Sequence, residues 1–143
     1  MANASTRFPP DAIAQAEQYL ATDAPQDIDP RVERLVDDLI GRVDDKWTLL
    51  VLEELEQRGT MRFSEIGRAV DGISQKMLTQ TLRQMERDGL LTRTVHPVVP
   101  PRVDYALTAL GNGLSAAFCG VWIWAERHLE QVEAARAAFD ARD

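Results

Sequence analysis

Apolar residues recur every three or four positions through most of this chain and every second position in two short runs, which predicts a helical protein carrying one small hairpin. Pro9–Pro10 precedes a helix from Asp11 to about Ala21 with Ile13, Ala16 and Leu20 on a narrow stripe. Asp29–Pro30 reads as a cap and first turn, opening a helix whose Val32, Leu35, Val36, Leu39 and Ile40 form a core-facing stripe. Lys46–Gln57 is a third helix, capped by Asp44 or Asp45, with Trp47, Leu50, Val51 and Leu55 inward and Arg58–Gly59 as its exit. Met1–Arg7 reads as a disordered tail and Thr22–Asp27 as a linker.

From Thr60 the rhythm changes. Thr60–Phe63 predicts a short strand, Ser64 the cap of a short helix with Ile66, Ala69 and Val70 inward, and Asp71–Gly72 a sharp turn. A second helix opens at Ser74 and closes at Gly89, and alternating runs at Leu91–Val95 and Val103–Leu107 flank a stiff Pro97–Pro101 tip. Thr108 caps a last helix to about Phe139, whose stripe runs Leu110, Leu114, Ala117, Val121, Ala125, Leu129 and Val132. Helix, turn, helix and hairpin in this order give a mainly α fold with a small β-hairpin (α+β), a winged helix-turn-helix flanked by N- and C-terminal helices. The expected organisation is 1–28 as tail and dimerisation helix, 29–107 as DNA-binding domain, and 108–143 as C-terminal dimerisation helix.

The helix at Ser74–Asp88 divides into two chemistries. Ile73, Met77, Leu78, Leu82 and Met85 share one side, while Gln75, Lys76, Thr79, Gln80 and Arg83 share the other, and the first acid is Glu86. A solvated face would mix signs, so this one suits an anionic partner. Glutamine pairs bidentately with adenine and arginine with guanine, which assigns Gln75, Thr79, Gln80 and Arg83 to bases. Lys76 and Ser74 fall to phosphates, with Arg62 and Arg102 as flanking phosphate clamps, Ser64 beside them, and His96 at the hairpin tip as a backbone contact.

Composition modifies this picture at few points. The formal net charge of −7 opposes nucleic acid, yet Ser74–Arg102 holds five basic residues against two acidic ones, a local net of +3. Charge acts over roughly 8–10 Å in physiological salt, so a basic strip on an acidic body still docks on a duplex. No apolar run approaches the roughly 20 residues of a membrane span, and the N-terminus is no secretory signal, which predicts a cytoplasmic protein. One cysteine and two histidines give no metal site. No cofactor loop and no nucleophile–base set is present, so an enzyme is not expected. Phe118, Trp122, Ile123 and Trp124 spread apolar surface beyond the last helix's stripe; with Ile13 and Leu20 they are assigned to a homodimer interface, whose Trp122 and Trp124 rings also offer a place for a small apolar effector. Cys119 reads as a buried structural thiol; were it redox-active, its product would be an intersubunit disulfide.

The runs Lys46-Trp47-Thr48-Leu49-Leu50, Arg62-Phe63-Ser64-Glu65-Ile66, Gly72–Gln80, Leu82–Gly89 and Val99-Pro100-Pro101-Arg102-Val103-Asp104-Tyr105-Ala106-Leu107-Thr108 resemble the HxlR family of bacterial winged-helix transcriptional regulators. The resemblance spans roughly residues 32–114. It implies a homodimer joined through terminal helices, the Ser74 helix in the major groove of double-stranded DNA, and the Pro97–Pro101 hairpin on phosphates or the minor groove. Oxidant-sensing members carry a cysteine before the Lys-Trp pair, where this chain has Asp29-Pro30-Arg31-Val32. The expected function is a repressor on an inverted repeat, tuned by a small-molecule or redox effector; a winged-helix module that binds protein instead is the alternative.

Overall fold

In the computed structural model, residues 7–22, 27–42 and 44–142 are described. The expected tail at 1–6 and the linker's 23–26 lie outside them. The helices are α1 (Pro10–Ala21), α2 (Pro30–Ile40), α3 (Asp45–Arg58), α4 (Phe63–Ala69), α5 (Gln75–Arg87) and α6 (Ala109–Asp140); the strands are β1 (Met61–Arg62), β2 (Leu91–His96) and β3 (Arg102–Leu107). This is the expected winged helix-turn-helix, with β1 added to the hairpin to give an antiparallel sheet in the order β1-β3-β2.

Local signals explain most boundaries. Asp29 accepts the Arg31 N–H at 2.8 Å and Pro30 supplies the first turn of α2. Gly59, Gly72 and Gly89 adopt positive φ where α3, α4 and α5 give way to the next segment, a conformation that a side chain would strain. One cap differs from expectation, while Asp44, one of the two residues expected to cap α3, does hold that position. Helix α4 begins at Phe63, because Glu65 accepts the Arg62 N–H at 3.0 Å and closes the turn ahead of Ser64. At α3, Asp44 holds the cap position without a side-chain bond, and the Asp45 carboxylate instead accepts the Arg42 N–H at 2.6 Å.

The main core joins α3, α4, α5 and the sheet through Val51, Leu52, Leu55, Ile66, Val70, Leu78, Leu82, Met85, Leu91 and Tyr105, with Trp47 half-buried at its margin. A second cluster sits between the N-terminal segment and α6, where Phe8, Ala12 and Ala16 cover Ala116, Cys119 and Ile123. Arg7 fastens this cover. Its guanidinium bonds Glu53 on α3 at 2.7 Å and lies 4.0 Å over the Trp122 ring.

One expected core stripe, that of α2, faces outward instead, and the stripe of α6 is largely exposed as well. In α2 no residue is buried, and Val32, Leu35, Val36 and Ile40 are about half exposed, because α2 packs on α3 and none of the described residues closes over its apolar side. In α6, Leu110, Val121 and Leu129 are exposed while Gly111, Ser115, Cys119, Gly120 and Ile123 are buried, since α1 packs against the side with small residues.

The joint between α5 and α6 is tight. The Thr108 N–H donates to the Leu90 carbonyl at 3.0 Å, its hydroxyl donates to the Gly89 carbonyl at 2.6 Å, and the same oxygen accepts the Gly111 N–H at 3.1 Å. A Cβ on Gly111 would collide with the Leu90 carbonyl. Gly111→Ala is therefore expected to lower unfolding free energy by about 1–3 kcal/mol in urea titration. Gly113→Ala, whose Cβ meets only the ends of Gln15 and Tyr19 near 4 Å, should raise it by about 0.5–1 kcal/mol through helix propensity.

Candidate nucleic-acid interface

Helix α5 is presented by its own cap and core. Ser74 Oγ accepts the Met77 N–H at 3.0 Å, and no acid stands in the first turn. Leu78, Thr81, Leu82 and Met85 are buried, Ile73 and Met77 are half-buried, and Gln75, Lys76, Thr79, Gln80 and Arg83 all face outward. Among the described residues, the side chains of Gln75, Lys76, Gln80 and Arg83 make no hydrogen bond or ion pair. Thr79 is different: its hydroxyl donates to the Gln75 carbonyl at 2.9 Å, which leaves its methyl group as the outward surface. The Ser74 oxygen is likewise occupied by its capping bond, although the residue remains exposed.

The hairpin is chemically quieter than its sequence suggests. Register pairs His96 with Arg102, Thr94 with Asp104, and Arg62 of β1 with the same Asp104. Alternation therefore sets His96, Arg102, Asp104 and Arg62 on one face of the sheet. His96 Nε2 lies 2.8 Å from Asp104 Oδ2, and Arg102 Nε lies 3.5 Å from Oδ1. Asp104 thus draws both expected DNA contacts toward itself. Beyond them the tip is apolar, with Val98 half exposed and Val99 fully exposed between prolines. Arg62 and Ser64 are exposed where β1 meets α4.

Arg93 is a candidate that pattern reading passed over. It sits on the sheet face of Leu91 and Val95, opposite Tyr105, and lines a cleft with Arg83, Glu86, Thr79 and Phe63. The available signal was an arginine at a position whose alternation partners point toward the protein.

The six expected interface residues separate into two groups. Ile13, Phe118 and Trp122 are half-buried and Ile123 is buried, all packed within this chain's own clusters. Leu20 and Trp124 are about half exposed, and Trp124 stacks on His128 with ring centroids 4.7 Å apart.

A two-helix reading unit with one face anchored, the other bare, and a hairpin alongside defines a winged-helix protein of the DNA-reading class. This chain belongs to the HxlR-like helix-turn-helix family, whose description matches residues 42–133. It is 41% identical over 99 residues to the HTH-type transcriptional regulator YtfH of Escherichia coli K12, covering 69% of this chain and 78% of that protein. The crystal structure of a MarR-family transcriptional regulator from Enterococcus faecalis V583 is similar at 36% identity and TM-score 0.65, covering 79% of this chain and 99% of that one. The reduced form of the redox regulator HypR is similar at 34% identity and TM-score 0.59, covering 71% of this chain and 96% of that one. The chain is accordingly a transcriptional regulator of helix-turn-helix type, a non-enzymatic class. Among the described residues, no helix is long and apolar enough to cross a membrane.

Cys119 is fully buried beneath the N-terminal cover, and burial first, then the negative charges of Glu126, Glu17 and Glu56, push its thiol above the ordinary range. The neutral thiol is thus favoured at any pH below its raised pKa, and the thiolate is scarcer than in a free cysteine. A thiol-reactive disulfide reagent at pH 7–8 is expected to leave the folded protein unmodified over the time that labels a denatured sample completely. Fast stoichiometric labelling of the folded protein would contradict this burial.

Proposed function

We propose that this protein is a cytoplasmic, homodimeric, sequence-specific DNA-binding repressor whose operator is a short inverted repeat. The observation that carries the reading is the outer face of α5, where Gln75, Lys76, Gln80 and Arg83 stand exposed without side-chain partners among the described residues, on a helix whose other side is locked into the core. Leaving four polar side chains unpaired on one face, with no acid until Glu86, suits an element whose hydrogen-bond partners are base edges and phosphates. Gln75, Thr79, Gln80 and Arg83 take base contacts, Thr79 through its methyl group. Lys76, Arg62 and the residues at Ser64 and Ser74 face the backbone, while Arg102 and His96 approach it as a pair held by Asp104.

The homodimer has its support in the outward apolar residues. Val32, Leu35, Val36 and Ile40 of α2, Leu110, Val121 and Trp124 of α6, and Leu20 of α1 are each between about one-third and two-thirds exposed. A second copy covering them would set two α5 helices in a fixed relation, which suits a two-fold operator. In this reading the effector is apolar and occupies the groove of about 500 Å³ lined by Tyr19, Leu35, Leu39, Leu110 and Leu114, beside Asp88 and Leu90 at the exit of α5. A ligand there biases the spacing of the heads, and with it DNA affinity, through differential binding to two arrangements.

The test is binding of the full chain to genomic fragments at two salt concentrations, with sedimentation velocity to give the oligomeric state. Affinity is expected to fall steeply with salt and the footprint to span two half-sites. Arg83→Ala should cost about 1–3 kcal/mol of discrimination between operator and variant sequences, and Lys76→Ala should weaken all sequences alike. A protein that sediments only as monomer, or binds no fragment in preference to another, would refute the proposal and favour a protein-binding module on the acidic body.

A further inference from the structure

Between α5 and the hairpin lies a cleft of about 320 Å³, and its two arms each contribute one guanidinium. Arg83 comes from the exposed face of α5 and Arg93 from β2. Leu82, Phe63 and Tyr105 give it an apolar lining, and Tyr105 is the direct cross-strand neighbour of Arg93. Both arginines are exposed, and neither makes a hydrogen bond or ion pair among the described residues. Glu86, one turn beyond Arg83, is the acid on the same cleft. Two guanidiniums and one carboxylate leave a net positive charge there, in contrast to the sheet's opposite face, where Asp104 already engages His96 and Arg102.

We propose that this cleft is a phosphodiester-binding site, in which Arg93 grips the backbone strand that passes between α5 and the wing. The inference rests on the DNA-binding reading above and adds to it a contact and a residue. Adjacent major and minor grooves are separated by one sugar–phosphate strand, so a protein with a helix in the first and a hairpin against the second must receive that strand in the space between them. The cleft is that space. A planar guanidinium with its fork of N–H donors matches phosphate oxygens bidentately, and contacts of this kind set register without reading sequence. Arg83 remains the base-reading arginine because it shares its helix face with Gln75, Gln80 and Thr79, whereas Arg93 stands on the hairpin, away from base edges. Glu86 limits the affinity, since its carboxylate faces the same phosphate.

Fluorescence anisotropy of the full-length protein, with its selected operator duplex and with an unrelated duplex across a salt series, tests the assignment. Arg93→Gln is expected to weaken both duplexes by the same factor, roughly ten-fold at low salt, and to reduce the slope of log affinity against log salt by about 1. Arg93→Lys should restore most of the slope, because the charge returns without the fork. Glu86→Gln should tighten both duplexes and steepen the slope. Circular dichroism melting of each variant should match the parent, given the exposure of both side chains. An unchanged slope in Arg93→Gln would overturn the proposal, as would a loss confined to the operator, which would make Arg93 a base reader. Saturable displacement by inorganic phosphate at constant ionic strength would mark a small-anion site instead and equally overturn it. Absence of salt-dependent DNA binding by the parent protein would remove the DNA reading itself, an outcome distinct from a parent that binds and an Arg93 variant that binds identically.

Discussion

The joint where Thr108 and Gly111 close on Gly89 and Leu90 is the constraint on which the rest of the arrangement depends. The carbonyls at the exit of α5 accept hydrogen bonds from the cap of α6, and the two backbones approach so closely that a single methyl group on Gly111 would not fit. The position of α5 is therefore tied to the direction of α6. Any contact that α6 makes with a second molecule is transmitted to α5 through hydrogen bonds and backbone contact rather than through a flexible linker. Hairpin strand β2 begins at Leu91 in the same turn, so the helix, the wing and the long terminal helix share one anchoring point.

Around that point the chain spends its polar groups unevenly. On the outward face of α5, Gln75, Lys76, Gln80 and Arg83 have no side-chain partner among the described residues, since no acid interrupts the stretch from Gln75 to Arg83, whereas Gln84 near its exit donates to Asp88. On the outer sheet face the opposite holds, because Asp104 sits in register between Arg62 and Thr94 and within reach of His96 and Arg102. Pairing costs Arg102 part of its attraction for phosphate while fixing its orientation and that of His96. The face of the hairpin that turns toward α5 keeps Arg93 without such a partner among the described residues, which is why the cleft, and not the wing's outer surface or its Val98–Val99 tip, holds the hairpin's unpaired positive charge.

Apolar surface is divided with the same asymmetry. Phe8, Ala12 and Ala16 close over Cys119 and Ile123, and Arg7 bridges Glu53 and Trp122 to hold them there. Among the described residues, the side of α6 bearing Leu110, Val121 and Leu129 receives no such cover, nor does the apolar side of α2. Small residues permit the first packing: Ala12, Ala16, Ala116 and Gly120 let two helices approach within contact distance. The larger residues left outside give the surface on which a partner of equal apolarity would gain most.

Period and punctuation sufficed to read the elements themselves. The turn at Asp71–Gly72, the Ser74 cap, the two-faced α5 and the alternating hairpin depend on interactions between residues a few positions apart, and those lie open in the sequence. The expected outward residues of α5 are the ones found outward, because the core claims Leu78, Leu82 and Met85 and the helical repeat leaves no choice about the rest. Amphipathicity alone does not say which molecule covers an apolar stripe, so α2 reads as core while standing exposed, and the stripe of α6 does not reveal that its small-residue side is the one turned inward. Pairing of Asp104 with His96 and Arg102, the cover that Phe8, Ala12 and Ala16 lay over Cys119, and the placing of Arg83 and Arg93 on one cleft join residues brought together only by sheet register and helix packing. Those contacts were decided by tertiary structure, since their energies depend on distances that no local spacing encodes.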